Sequence, residues 1–249
     1  MTPQLVTLGT GAAASDPHRT TVMIAATNGR SSILVDCGGD AIQRYLEAGL
    51  DLDTLDALII THEHADHVSG FPLLVEKLWL HQRSAPLPIY GIEPALSQAR
   101  RCFDTFDTSG WEGMPELQWN EFEYEQDAQV LQSDDWSITA APTDHSKPCV
   151  GLRFEASGSD RVATYSCDTA PTESIARLAQ DTDLLIHEAN GAMEGHSSPE
   201  GAAKIAHQAG AQHLVLVHLP PGMTEADLTA ARKHFESIEL AKELEFYPF

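Results

Sequence analysis

Short apolar runs recur along the whole chain, broken by glycine, asparagine and aspartate, and their period shifts between that of strands and that of helices. Leu5-Val6-Thr7-Leu8 alternates and runs into Gly9-Thr10-Gly11, which predicts a strand ending in a tight turn. No Gly-Lys-Ser/Thr follows, so the turn is not a phosphate-binding P-loop. Residues 21–26 and 31–35 flank Asn28-Gly29 and read as a hairpin. Residues 41–48 predict a helix closed by Gly49, and 57–60 a short apolar strand. Val68, Phe71, Leu74, Val75 and Leu78 fall at helical spacing and predict a helix over 68–81, with Pro72 tolerated in its first turn. A strand at 87–90 and a helix at 94–106 follow.

Residues 108–129 are acidic and hold Trp111 and Trp119; a surface flap, a pocket wall and simple packing of the indoles all fit. Strands resume at 137–141, 150–155, 161–166, 184–186 and 213–217, interleaved with helices at 173–178, 199–208 and 225–235. The strands form an early and a late group, each joined to helices. Two sheets packed face to face with helices outside is the economical arrangement. With no short repeat, low-complexity tract or Gly/Ser-rich linker, the expectation is one α/β domain spanning residues 1–249.

Charge changes this picture most. The 37 acidic residues against 15 basic give a formal net charge of −22. Such a surface repels polyanions, because nucleic-acid binding depends on Lys and Arg displacing phosphate counterions. Long RNA or DNA is therefore an unfavourable partner. A salt-rich habitat would also account for the acid excess. Cys37, Cys102, Cys149 and Cys167 lie apart without a CxxC and read as reduced thiols. The start lacks a secretion signal, and no apolar run reaches the roughly 20 residues of a membrane helix. A cytoplasmic protein with no membrane segment is expected.

The chemistry concentrates in Thr61-His62-Glu63-His64-Ala65-Asp66-His67, directly after Leu58-Ile59-Ile60. Three imidazoles and a carboxylate on one short turn suit zinc, iron or manganese rather than calcium or magnesium. Asp66 could in addition cap the helix that follows. Asp36 closes an apolar strand ahead of Cys37-Gly38-Gly39, and either shapes that turn or braces the metal loop. His145, Asp168 and His218 share one placement, at or just past a predicted strand end, where a rigid sheet holds a ligand well. Singly, His145 could be a loop residue, Asp168 a helix cap and His218 an imidazole at the core's edge. The cluster upstream favours a metal role for all three.

In that order, His62, His64, Asp66, His67, His145, Asp168 and His218 resemble the ligand series of the metallo-β-lactamase fold. The resemblance covers nearly the whole chain, including Leu34-Val35-Asp36-Cys37-Gly38. It implies an αββα four-layer sandwich of two mixed β-sheets flanked by helices, with two divalent metal ions at one edge. His62, His64 and His145 would hold one ion, Asp66, His67 and His218 the other, and Asp168 would bridge them. Zinc is expected, with manganese or iron as alternatives.

His187-Glu188-Ala189-Asn190 and Gly195-His196-Ser197-Ser198 are similar to the paired His-Glu-Ala-Thr and His-Ser-Thr loops of the ribonuclease Z branch. That similarity implies His196 as the general acid for the leaving oxygen and Glu188 as its partner. The bland reading is that Ser197 or Ser198 caps the next helix and His196 merely precedes it. Asn190 and Ser198 replace threonines of that pattern. Only about twenty residues separate His145 from Asp168, room for two strands and a turn but not for the tRNA-gripping arm of tRNA-processing members. His187, His207, His213 and His234 match no ligand position.

The expected protein is a binuclear metal-dependent hydrolase. Its reaction would be that of a phosphodiesterase on a small or cyclic anionic substrate, through a bridging hydroxide, with Asp66, Glu188 and His196 as catalytic residues. The alternatives are an ester, lactone or sulfate-ester hydrolase on the same scaffold, or a metal-binding sensor with little turnover. A homodimer is left open.

Overall fold

A computed structural model describes residues 2–249. The first sheet starts with β1 (Gln4–Gly9), β2 (Met23–Thr27) and β3 (Ser32–Val35), antiparallel neighbours with the hairpin turn at Asn28-Gly29. It continues in parallel through β4 (Leu55–Ile60), β5 (Leu87–Gly91) and β6 (Leu117–Glu121). The connections carry α1 (Ala41–Glu47), α2 (Ala65–Val68), α3 (Phe71–Leu80) and α4 (Glu93–Phe103). The second sheet repeats the plan. Its strands β7 (Ala128–Gln132), β8 (Trp136–Pro142), β9 (Val150–Ala156) and β10 (Val162–Tyr165) run antiparallel. Parallel to β10 come β11 (Leu184–Glu188), β12 (His213–Val217) and β13 (Ile238–Leu240), connected through α5 (Glu173–Leu178) and α6 (Pro199–Ala209).

The last strand, β14 (Glu245–Pro248), returns to the first sheet beside β1. The strand orders are β14-β1-β2-β3-β4-β5-β6 and β13-β12-β11-β10-β9-β8-β7, the expected four-layer sandwich of two mixed sheets. Every residue of β2, β3 and β11 is buried, as strands covered on both faces must be. Along β11, Leu184 and Ile186 join the core between the sheets, while Leu185 joins the smaller one under α5 and α6. Among the described residues no helix is long and apolar enough to cross a membrane.

The predicted helix over 68–81 is broken. Gly70 lies between α2 and α3, and a Cβ there would meet the Gly39 carbonyl oxygen at 2.2 Å and that of Cys37 at 2.5 Å. Backbone docks against backbone at this point, and Gly70 N–H donates to Cys37 O at 2.8 Å. The predicted helix over 225–235 is instead a pair of 3-10 turns, Glu225–Thr229 and Ala231–Lys233. Its buried positions, Leu228 and Ala231, are three apart, and three residues per turn bring such a pair onto one face. The helix predicted to reach residue 106 stops at Phe103. Residues 108–129 are no flap: they hold β6 and the start of β7, Trp111 stacks on Trp79 at 5.0 Å, and Trp119 packs on Phe71 at 5.5 Å.

Trp136 joins the two sheets. Its indole is fully buried, and Nε1–H donates to Ser31 Oγ at 2.9 Å, reaching from β8 to the residue before β3. Trp136→Ala is expected to cost about 3–5 kcal/mol through the cavity it leaves, and Ser31→Ala about 1–3 kcal/mol through an unpaired indole N–H. Urea unfolding measures both; a loss under about 1 kcal/mol for Trp136→Ala would contradict this account of the interlayer packing.

Candidate active site

The strands end together at one edge of the sandwich, and the chemistry-bearing residues leave from those ends. Asp36 follows β3, residues 61–67 follow β4, Asp168 follows β10, Glu188 ends β11 and His218 follows β12. Asp36, Cys167 and His218 have φ of 62°, 51° and 52°. Left-handed backbone costs a non-glycine residue about 1–2 kcal/mol, and here it turns the chain sharply out of the sheet at three strand ends that supply the site.

Two groups of donors form. His62 Nε2 and His145 Nε2 lie 3.1 and 3.0 Å from His64 Nδ1, and each is 3.9 Å from Asp168 Oδ2. On the other side, His67 Nε2 lies 3.6 Å from Asp66 Oδ2 and 3.5 Å from Asp168 Oδ1. His218 Nε2 lies 3.4 Å from Asp66 Oδ2, and its Nδ1 lies 3.5 Å from Asp168 Oδ1. Asp168 stands between the groups with one oxygen toward each. All seven residues expected to hold metal are thus brought together.

The remote ring nitrogens say what the near ones can do. His67 Nδ1–H donates to Asp36 Oδ2 at 2.8 Å, and His145 Nδ1–H to the Gly195 carbonyl at 2.9 Å. The Thr61 hydroxyl donates to Asp36 Oδ2 at 2.8 Å and accepts from His62 Nδ1–H at 3.1 Å. Each ring therefore turns an Nε2 lone pair into the centre, as second-shell partners arrange in metal sites. Lone pairs facing one another at about 3 Å repel unless a cation lies between them. In addition His67 Nε2, Asp168 Oδ1 and His218 Nδ1 are buried without a hydrogen-bond partner. The donor set fits divalent metal.

The charge states at the cluster are consistent with that fit. Burial holds His62 well below the usual imidazole range and His64 below it, so both stay neutral and ready to ligate. Burial also opposes a proton on His218, yet the Asp168 carboxylate and the contacts with Asp66 and Glu188 push it up to about 9. His67 likewise rises against its burial because Asp168 and Asp36 flank it. Asp168, although buried, is held well below the carboxylate range by His218 and His67. Cys167 Sγ lies 3.8 Å from His62 Nδ1, but burial pushes its thiol up, and it donates to Thr61 Oγ1 at 3.1 Å, so it backs the site without ligating.

His196 lies beside both groups, its ring 5.4 Å from that of His218 and 5.0 Å from that of His145. Its Nδ1–H donates to Glu188 Oε1 at 3.0 Å, and that bond is the main reason its pKa is raised. Glu188 is fully buried and also accepts from the backbone N–H groups of Thr169 at 3.2 Å, Asn190 at 2.8 Å and Ser197 at 2.9 Å.

Several side readings resolve. His64, not Asp66, occupies the N-cap of α2, and Thr172, not Asp168, that of α5. Ser198 does cap α6, accepting from Gly201 N–H at 3.1 Å, so capping and the His196–Glu188 pair coexist. Asp36 is bonded to both ends of the 61–67 loop, contacts that favour the bracing half of an open choice. Thr61 and the Gly195 carbonyl went unremarked in the sequence. Thr61 had a signal in its place just before the cluster; a backbone carbonyl has none. His187 turns its Nδ1 to the Glu188 carbonyl, and His213 bonds Ser237 and Glu239 outside the site. Two clefts of about 670 and 680 Å³ include no residue of the cluster, so it is chemistry that marks this site.

Comparison with known proteins agrees. The family described as the beta-lactamase superfamily domain matches residues 31–219. Ribonuclease Z of Methanothermobacter thermautotrophicus is 29% identical, over 95% of this chain and 94% of the relative. The probable metallo-hydrolase YhfI of Bacillus subtilis is 32% identical over 78% and 77% of the two chains. The crystal structure of YhfI, described as a metallo-beta-lactamase fold protein, superposes with a TM-score of 0.83 at 24% identity, covering 100% of both chains. Human tRNase Z, short form, gives a TM-score of 0.80 at 22% identity over 99% of this chain and 100% of its own.

Asp36→Asn should lower divalent metal affinity about 10- to 100-fold while leaving the fold intact, since it removes the charge that orients His67 and Thr61. Metal titration followed by calorimetry, with circular dichroism as the fold control, tests this. An unchanged affinity would reduce Asp36 to turn chemistry.

Proposed function

This chain belongs to the beta-lactamase superfamily and is a metallo-hydrolase of it, and we propose that it hydrolyses small phosphodiesters. The observation that carries this reading is His196, buttressed by the buried Glu188 and facing the donor cluster. Breaking a phosphodiester with a poor leaving group calls for such a proton donor.

In this reading His62, His64, Asp66, His67, His145, Asp168 and His218 would hold two divalent ions, zinc by preference. Bound there, the ions would lower the pKa of water and draw charge from the phosphoryl oxygens. The chain's own residues do the rest. Asp36 and Thr61 fix the ligand rings. Glu188 keeps the Nδ1–H of His196 occupied and offsets the charge of its imidazolium. As the oxygen of a deprotonated water bonds to phosphorus and the bond to the leaving oxygen breaks, the electron pair stays on the leaving oxygen, which takes the proton from His196 Nε2. Substrate size follows from two features: a formal charge of −22 disfavours a long polyanion, and β9 joins β10 through the short turn at 157–161, with no gripping arm.

With the zinc-loaded protein, bis-p-nitrophenyl phosphate and cyclic nucleotides should be hydrolysed well above aryl sulfates and lactones. His196→Ala should slow an alkyl phosphodiester about 10²- to 10⁴-fold, and its p-nitrophenyl counterpart far less, because nitrophenolate leaves without a proton. Equal losses on both substrates would remove His196 as the acid. Turnover confined to lactones or sulfates, with metal bound, would remove the phosphodiesterase reading.

A further inference from the structure

One charged pair at the cluster has no part in the scheme above. Lys147 Nζ lies 2.8 Å from Glu63 Oε1. Glu63 separates His62 from His64, and Lys147 stands two residues after His145, so the pair ties the ammonium to both loops that make the first donor group. The Lys147 side chain is 50% exposed and that of Glu63 22%, so the ammonium stays open to a ligand from solvent. Among the described residues Glu63 is its sole ionic partner. An ammonium has three N–H donors in rotating geometry, so one partner leaves the others free. An exposed ion pair contributes little to folding, and the arrangement is not explained by stability. Arg101 also lies within Coulombic reach of Glu63. In a chain with 15 basic and 37 acidic residues positive charge is scarce, and this ammonium is held beside the loop of His62 and His64.

Building on the phosphodiesterase reading, we propose that Lys147, oriented by Glu63, binds a second phosphate of the substrate. The site would thereby select phosphodiesters that carry a further phosphate group over those with only the scissile one. Lys147 is a specificity residue here, and Glu63 positions it.

The test uses the full chain loaded with zinc and two probes that differ by one phosphate, thymidine 3′,5′-bisphosphate and thymidine 5′-monophosphate. Calorimetry should give the bisphosphate about a 10- to 100-fold advantage, the worth of a charge-assisted bond. Lys147→Met keeps the aliphatic stem and should cut that advantage about tenfold or more, and Lys147→Arg should restore most of it. Glu63→Gln removes the ion pair but keeps the cation, so much of the advantage should survive. A purely structural pair predicts that Glu63→Gln and Lys147→Met behave alike. That outcome, equal losses for both probes in Lys147→Met, or no advantage in the unsubstituted chain would each overturn the assignment. The p-nitrophenyl esters of the same two nucleotides separate the two claims. If neither turns over while the binding advantage persists, the phosphodiesterase reading fails and the role of Lys147 stands.

Discussion

A single buried carboxylate, that of Asp36, is the constraint on which the site depends. It is 1% exposed and would be costly to bury alone. It is satisfied by Thr61 N–H at 2.9 Å, by the Thr61 hydroxyl and by His67 Nδ1–H. Two of these donors come from the first residue of the 61–67 loop and one from the last. Satisfying one charge therefore closes the loop on itself and presents the rings between its ends. The Thr61 hydroxyl carries the same constraint onward to His62, so one anion sets ring orientation in both donor groups.

The electrostatic design runs opposite to the protein as a whole. The surface is strongly acidic, while the interior edge gathers imidazoles around only a few carboxylates. Screening confines the surface field to about 8–10 Å in ordinary salt, so a small anion needs local positive charge only over its last approach. A long polyanion would have to lie along acidic surface for many such lengths. Size selection can thus arise from charge without any steric barrier.

Much of this was legible in the sequence because ligand density is a local signal. Three histidines and an aspartate within six positions need no tertiary knowledge to stand out, and the apolar runs of β1 to β4 and β8 to β12 declare themselves. The remainder is tertiary. Val68 to Leu78 keeps helical spacing because α2 and α3 both face the same core, and the break at Gly70 follows only from the approach of Cys37 and Gly39. The strands β6, β13 and β14 lie at sheet edges and β6 is nowhere fully buried, so its residues carry no clean alternation. Asp36 was balanced between two roles because its partners lie 25 and 31 positions away.

The departures from the ribonuclease Z pattern have a physical explanation in the same terms. Asn190 serves Glu188 through its backbone N–H, so exchange of its side chain leaves the bond in place. Ser198 caps α6 with a hydroxyl that threonine would supply equally. What this loop must keep is conformation. Gly195 has φ of 75°, and a Cβ there would lie 3.0 Å from His145 Nδ1 and 3.2 Å from its Cα. Its carbonyl accepts from that same ring. The residue that orients the His145 ring thus immediately precedes the proposed acid, so the loop that carries His196 also anchors His145. Registration between metal and acid is built into the backbone, where a comparison of side-chain motifs does not look.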